Sequence, residues 1–275
     1  MSKIVITGSQ SGMGLAFRND LEALGEEIIG VDLPGKNAEV EADLSTNAGC
    51  AEAVLKILEL SDGRIKGVIA NAGVDNNNAR LVFGLNYFGV VNILEGLHGA
   101  LAANKNARVV ITASNSIVIT PGIPLDVVQA LNDHDLEKAI EIVSINQQAI
   151  YPSSKLAIVR WMRTHAASKK WAGSGITMNA IAPGAVLTPL LEHDLADPAK
   201  APFINALPRP LGEWPRPEDI AGIVRFLISE NAKYIIGQVI IADGGMENTW
   251  RNSDFPQPWN ISVEDFMKKL NEANS

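Results

Sequence analysis

Tyr151 and Lys155 stand four residues apart in the run Tyr151-Pro152-Ser153-Ser154-Lys155. On a helix that spacing places both side chains on one face. An ammonium beside a phenol favours the phenolate and so lowers the tyrosine pKa. A tyrosine brought nearer to neutral pH can act as general acid or base on a carbinol or carbonyl oxygen. The pair alone is also what an ordinary exposed helix face can show, so its meaning depends on what else the chain carries.

A second motif lies at the opposite end of the same half-chain. Lys3 to Thr7 is a short apolar, β-branched run that reads as a buried parallel strand. Gly8-Ser9-Gln10-Ser11-Gly12-Met13-Gly14 follows at once, and Leu15 to Leu24 then reads as a helix closed by Gly25. Glycines at a strand-to-helix turn let the backbone approach a pyrophosphate, while the helix N-terminus offers amide donors. A second strand, Ile28 to Val31, ends in Asp32, which lies 18 residues beyond Gly14. A carboxylate at about that offset accepts hydrogen bonds from the adenosine ribose hydroxyls and repels a 2′-phosphate, which favours NAD over NADP. The glycine loop contains no Arg or Lys, and Lys36 is the one nearby cation.

With these residues the chain resembles the short-chain dehydrogenase/reductase family. Thr7-Gly8-x-x-x-Gly12-x-Gly14 matches that family's cofactor signature, and the resemblance runs from about residue 3 to about residue 246. It implies a cofactor site made of Gly8, Ser11, Gly12, Met13 and Gly14, then Asp32 with Leu33, and the adenine-side pair Asp43-Leu44. The set continues with Asn71-Ala72-Gly73, Tyr151, Lys155, Pro183, Gly184, Val186 and Thr188. The resemblance also implies roles: Ser114 orients the reacting oxygen, Lys155 holds the nicotinamide ribose, and Asn86 anchors a proton-relay water. Ser116 is an alternative to Ser114, because residues two apart on an extended strand share a face.

Strand-like and helix-like segments alternate. Strands are expected at 3–7, 28–31, 39–42, 66–71, 108–113, 176–181 and 238–242, and helices at 12–24, 48–60, 79–102, 152–171 and 217–229. Such alternation predicts an α/β chain: a Rossmann-type doubly wound parallel sheet of about seven strands, with helices on both faces. We read one dinucleotide-binding and catalytic domain over 1–275, with a helical insertion at 119–148 and a C-terminal extension at 247–275.

The insertion follows from the 37 residues between Ser114 and Tyr151, a gap much shorter in most of the family. Leu131, Leu136, Ala139, Ile140 and Val143 recur at near-helical spacing, which predicts one or two helices. The family branch with such an insertion is the bacterial 3α-hydroxysteroid dehydrogenase/carbonyl reductase group. In that branch it implies an altered oligomer interface, so a homodimer or homotetramer is expected. A surface excursion without a role is the competing reading.

The 275 residues are 47% hydrophobic, and the net charge of −8 argues against a nucleic-acid partner. No run of about 18 uncharged apolar residues suggests a membrane span. The first strand starts too early for a signal peptide, and the lone Cys50 allows no intrachain disulfide, so a cytoplasmic protein is expected. Four scattered histidines, His98, His134, His165 and His193, make no metal-binding pattern, so no metal is expected.

Together these features predict an NAD-dependent oxidoreductase interconverting a secondary alcohol and a ketone. The expected partner is a small hydrophobic cyclic substrate, by resemblance a hydroxysteroid. Its pocket is expected from Ser116, residues 73–78 and the apolar, proline-rich loop 184–213, with the insertion as a further candidate wall, although core packing explains some of those leucines equally well. Asn76-Asn77-Asn78 is either part of that pocket or a turn. The alternatives are a dehydrogenase of non-steroid cyclic or aryl alcohols, a sugar-nucleotide epimerase or dehydratase, and a non-catalytic NAD-binding regulatory or scaffold protein. Trp250, Phe255, Trp259 and Phe266 in the tail are expected to be buried against the lid or a neighbouring subunit, with a short helix from Ser262 to Asn271.

Overall fold

Seven of the apolar runs become strands of one parallel sheet: β1 Lys3–Thr7, β2 Ile28–Asp32, β3 Val40–Glu41, β4 Ile65–Ala70, β5 Ala107–Thr112, β6 Ile176–Pro183 and β7 Val239–Ala242. The computed structural model describes residues 2–198 and 200–273; the side chains of Leu190, His193 and residues 270–273 lie outside that description. The strand order is β3-β2-β1-β4-β5-β6-β7, every neighbouring pair is parallel, and the registers are Ile4 opposite Ile28 and Ile4 opposite Gly67 on the two sides of β1. The chain therefore reverses its winding between β1 and β4. A crevice opens there above the carboxyl ends of the strands.

The helices are α1 Gly12–Glu22, α2 Asn47–Ser61, α3 Ala79–Phe83, α4 Val90–Asn104, α5 Ser116–Ile119, α6 Leu125–Asn132 and α7 Leu136–Val143. They continue with α8 Ile150–Ala166, α9 Pro189–Ala196, α10 Ala201–Asn205, α11 Pro217–Ile228, α12 Met246–Arg251 and α13 Val263–Ala273. One sheet face is covered by α2, α4 and α8 through Ile57, Leu94, Leu97 and Ile158. The other is covered by α1 and α11 through Phe17, Leu21, Ile220 and Val224. Each such fully buried side chain contributes about 1.5–3 kcal/mol of transfer free energy. The helical run from Ala79 to Asn104 spans 26 residues and is apolar enough to cross a bilayer by composition. Here that apolarity is accounted for by packing: Ile93, Leu94, Leu97 and Leu101 are buried in the core.

That run was expected as one α-helix over 79–102. It is interrupted by a π-helical turn, Gly84–Gly89. Its two glycines lie against backbone, where a Cβ would meet Ser45 O at 2.6 Å and Leu44 O at 2.5 Å. Turns of this kind are frequent at functional sites, and this one carries Asn86.

The insertion forms two helices. They break at His134, whose φ of 61° is left-handed. Val127, Val128 and Leu131 of α6 and Ala139 and Val143 of α7 are buried, with α6 packed on α8 and α7 on α3. Asn132 Nδ2 donates to Ala157 O at 3.3 Å and ties α6 to α8. The tail behaves otherwise. Ser262 caps α13 by accepting from Asp265 N–H at 3.1 Å, as its sequence suggests. Yet Trp250, Phe255, Trp259 and Phe266 are all about half exposed or more. The body of the chain does not bury them; Trp259 and Phe266 meet each other edge-on at 6.5 Å. Among the remaining singled-out residues, Cys50 is buried with its thiol pushed up to about 11 by desolvation. His165 stacks on Trp161, and His98 pairs with Lys170 O at 2.8 Å. Among the described residues no cluster of metal-ligating side chains is present.

Candidate active site

The cofactor end of the crevice is assembled from backbone. Gly8 and Gly12 have φ of +66° and +51°, and a Cβ on Gly14 would lie 1.9 Å from Gly8 O. Only glycine fits the turn between β1 and α1. Ser11, the N-cap of α1, is extended and makes no side-chain cap hydrogen bond. The first-turn amides of this helix therefore keep their capacity for an anion. Thr7 Oγ1 accepts from Asn71 N–H and Ala72 N–H, both at 3.0 Å, while Thr112 Oγ1 donates to Asn71 Oδ1 at 3.2 Å. These bonds lock the ends of β1, β4 and β5 together.

Asp32 ends β2 beside this loop. Its Oδ2 accepts from Gln10 N–H at 2.9 Å and its Oδ1 from Leu33 N–H at 2.8 Å. The carboxylate is thereby fixed while retaining lone pairs for ribose hydroxyls. Arg18 on α1 is engaged elsewhere, in a two-pronged pair with Glu39 at 2.9 and 2.6 Å. The residues present thus fit a dinucleotide: a glycine cradle, uncapped helix amides and a terminal acid. Asp43 Oδ1 accepts from the N–H and hydroxyl of Ser45, and Asp43 stays exposed. Leu44 and Val186 point their side chains into the two cores, so they offer a cofactor only backbone. Met13 packs on the second core, and Leu33 is exposed beside Asp32. Gly73 lies beside Asn86 and Lys155. Asn115 N–H donates to Pro183 O at 2.8 Å and Gly184 N–H to Ala242 O at 3.2 Å. Thr188 caps α9, and its methyl lies 3.4 Å from where a Cβ of Gly12 would stand.

The reacting end is assembled from side chains. Tyr151 and Lys155 sit in the first turns of α8, with Lys155 Nζ 5.7 Å from the Tyr151 ring centre. Lys155 is buried, and its Nζ donates to Thr112 O at 2.9 Å. Against the larger effect of burial, Ser114, whose Oγ accepts from Ser116 N–H at 3.1 Å, pulls the Tyr151 phenol pKa down. β5 ends at Thr112, so neither serine lies on the strand: Ser114 follows it, Ser116 begins α5, and the shared strand face that made Ser116 an alternative is absent. The Ser116 hydroxyl is buried without a partner among the described residues.

Asn86 takes a positioning arrangement. Its Oδ1 accepts from Val74 N–H at 2.9 Å, and its Nδ2 donates to Val74 O at 2.9 Å and Ser154 Oγ at 3.1 Å. Both side-chain donors are used. The amide clamps residue 74 to α8, and its Oδ1 keeps one lone pair.

The electrostatics differ from the expectation drawn from Tyr-x-x-x-Lys. Burial pushes the Tyr151 phenol up to about 12, against a smaller downward pull from its Ser114 hydrogen bond. Burial also brings Lys155 down to about 8. In these surroundings desolvation disfavours both charged forms more than the pair stabilises them. Tyr151 is held protonated through neutral pH, ready to donate.

Sequence reading missed three features. Asp75 acts by charge on both Tyr151 and Lys155, raising each, and is itself raised by burial against the pull of Lys200. Lys200 Nζ donates to Asp194 at 2.6 Å, linking α9 to the segment before α10. Asn115 Nδ2 donates to Asp243 Oδ2 at 3.2 Å, pinning the end of β7 behind Ser114. Their sequence signal is weak: an acid two places past Asn-Ala-Gly, and an amide between two serines. The loop expected over the pocket forms two short helices, α9 and α10, with Phe203 and Leu211 exposed. Asn78 caps α3 by accepting from Leu81 N–H at 3.2 Å, and Asn76 accepts from Asn78 N–H at 2.8 Å, so the asparagine triplet is a turn and cap. It borders a shallow cleft of about 440 Å³ between α3 and α7, which the catalytic candidates do not line.

Residues 137–247 match a family model described as enoyl-(acyl carrier protein) reductase. The chain is 34% identical to the 3-alpha-hydroxysteroid dehydrogenase/carbonyl reductase of Comamonas testosteroni over 93% of its own length and 100% of that protein. It is 27% identical to 3beta-hydroxysteroid dehydrogenase 1 of Eggerthella lenta over 88% of this chain and 92% of that one. The crystal structure of the 3-alpha-hydroxysteroid dehydrogenase from Pseudomonas sp. B-0831, complexed with NADH, matches at a TM-score of 0.85 and 36% identity, covering 91% of this chain and 98% of that one.

Proposed function

Since this chain belongs to the short-chain dehydrogenase/reductase family and is an oxidoreductase of CH–OH groups, we propose that it uses NAD(H) to interconvert a secondary alcohol and a ketone on a hydrophobic cyclic substrate, a hydroxysteroid first. The observation that carries this is Tyr151 beside the buried Lys155, at the same crevice edge as the glycine cradle. The steroid choice follows relatives named for 3-alpha- and 3beta-hydroxysteroids. Exposed Leu211, which lies against Gly244 just past the end of β7, suits an apolar ring.

When bound, the nicotinamide supplies or accepts the hydride at the carbinol carbon. The protein manages the proton and the positions. In reduction, the Tyr151 hydroxyl donates its proton to the carbonyl oxygen; in oxidation, it takes the proton back. The Ser114 hydroxyl hydrogen-bonds that same oxygen and fixes it beside Tyr151. Lys155, with one N–H on Thr112 O, keeps two donors for a nicotinamide ribose and for stabilising a phenolate. Asp32 accepts from the adenosine ribose and repels a 2′-phosphate, and Arg18, paired with Glu39, does not offset that repulsion. A cytoplasmic homodimer or homotetramer completes the reading.

The test is a panel of hydroxysteroids, cyclic alcohols and aryl alcohols with NAD and with NADP, followed by nicotinamide absorbance. Turnover of hydroxysteroids with NAD is expected. Tighter binding of NADP than of NAD would remove the role given to Asp32, and turnover confined to aryl alcohols would remove the steroid.

A further inference from the structure

Gly30, in the middle of β2, has room for no side chain. A Cβ there would lie 2.4 Å from Ser9 Oγ, 2.8 Å from Glu39 Oε2 and 2.9 Å from Arg18 Nη1. A glycine inside a strand marks a close approach of this kind. The space it leaves holds an ion pair. Arg18 Nη1 and Nη2 donate to the two Glu39 oxygens at 2.9 and 2.6 Å. Glu22 takes only Arg18 Nε, at 2.8 Å, so the two-pronged end of the guanidinium belongs to Glu39. Glu39 Oε2 also accepts from Gly30 N–H at 2.9 Å, which ties the pair to the strand itself. Residues two apart on a strand share a face, so the open side of Gly30 and the Asp32 side chain point the same way, about 6.5 Å apart. The loop between β1 and α1 meets both: Ser9 lies against Gly30, while Gln10 N–H bonds Asp32 Oδ2. The one basic residue of α1 is therefore held one step along the strand from the acid assigned to the adenosine ribose. A guanidinium is also the side chain best matched to a phosphate.

We propose that Glu39 is a positioning residue for cofactor choice: by holding the fork of Arg18 against Gly30, it withholds that guanidinium from a 2′-phosphate at Asp32. Selection of NAD over NADP then has two parts, repulsion of the phosphate by Asp32 and sequestration of the nearby cation by Glu39. This rests on the NAD reading proposed above and deepens it. A freed guanidinium beside Asp32 would offset the acid's repulsion with charge-assisted hydrogen bonds to the phosphate. The pair is partly solvated, with side-chain exposures of 18% for Arg18 and 37% for Glu39. Pairs of that kind add little to stability. Losing the charge at Glu39 should therefore show in cofactor choice and not in melting.

The test is equilibrium binding of NADP and of NAD to the full chain by isothermal titration, with no turnover required. Glu39→Gln keeps the shape and an oxygen for Gly30 N–H but drops the charge that holds the fork. In this variant NADP affinity relative to NAD should rise about tenfold over the wild type. The gain should shrink as salt is raised, because it is a charge effect near the surface. In the double variant Arg18→Gln, Glu39→Gln the gain should vanish. Arg18→Gln alone should leave the wild-type ratio in place, since the held guanidinium contributes nothing to it. A ratio unmoved in Glu39→Gln overturns the proposal. So does a gain that survives the loss of Arg18, because Glu39 would then act on the phosphate by its own charge. A wild type that binds NADP more tightly than NAD overturns the NAD reading instead, and the role of Glu39 falls with it.

Discussion

The two ends of the crevice are built on opposite principles. At the cofactor end the constraint is backbone: a Cβ on Gly14 would stand 1.9 Å from Gly8 O, and Thr7 Oγ1 holds two consecutive amides of the 71–72 turn. At the reacting end the constraint is a pair of side chains, Tyr151 and Lys155, each shifted chiefly by desolvation and to a smaller degree by the charge of Asp75. The first end offers one geometry and little else. The second can be retuned by a single charge. Within one sheet edge, binding is set by sterics and chemistry by desolvation.

The largest effect should come from the side-chain end. Tyr151→Phe removes the proton donor but keeps the ring and its packing. Turnover should fall roughly 10²–10⁴-fold, the usual worth of a positioned acid or base. Cofactor affinity, read by nicotinamide fluorescence, should hardly move. A variant that kept full turnover would dissolve the division of labour between the two ends.

Lys155→Met sharpens the same contrast through pH. Lys155 has a folded-state value of about 8, below the ordinary 10.5, so folding disfavours its charged form. That cost is fully present below about pH 8 and is relieved as pH climbs from about 8 towards 10.5, where the folded chain has lost a proton that the unfolded chain keeps. At neutral pH the methionine variant should therefore be more stable than the wild type, by at most about 3 kcal/mol, less what the lost Thr112 contact contributes. The advantage should shrink in urea melts repeated at rising pH. An advantage that grew with pH would mean that Lys155 is not desolvated.

Gly14→Ala probes the backbone end. The methyl meets a main-chain oxygen, which cannot rotate away, so the turn must open. Cofactor affinity should fall about 100-fold, near 2.7 kcal/mol, with substrate selectivity among the weakly turned-over alcohols retained. Loss of selectivity with normal cofactor affinity would reverse the assignment of the two ends.

The same contrast explains what the sequence disclosed. Glycine spacing, the terminal Asp32 and the alternation of apolar runs are local, and the sheet was legible from them almost to the residue. Strand β5, expected over 108–113, runs Ala107–Thr112. The sign of the Tyr151 shift was not legible. It depends on how much low-dielectric protein surrounds the pair, and on Asp75, which lies 76 positions earlier in the chain. The π turn was hidden as well, since its cause is the close approach of Gly84 and Gly89 to residues 44–45. Amphipathic spacing found the insertion and the tail helix alike, but spacing names a face and not its partner.

That last point yields the smallest predicted effect. Insertion and tail are both amphipathic additions, yet Leu131 is fully buried while Trp259 is 66% exposed. Leu131→Ala should cost about 2–5 kcal/mol, as a cavity in a packed core does. Removing 255–275 takes away Phe255, Trp259 and Phe266 but almost no burial within the chain, so the urea midpoint should correspond to a change below about 0.5 kcal/mol. Measured side by side, the two variants ask whether the aromatic face of the tail is covered in solution. A truncation that cost as much as Leu131→Ala would mean that it is, and because the chain's own body leaves these aromatics open, the cover would have to come from a second copy.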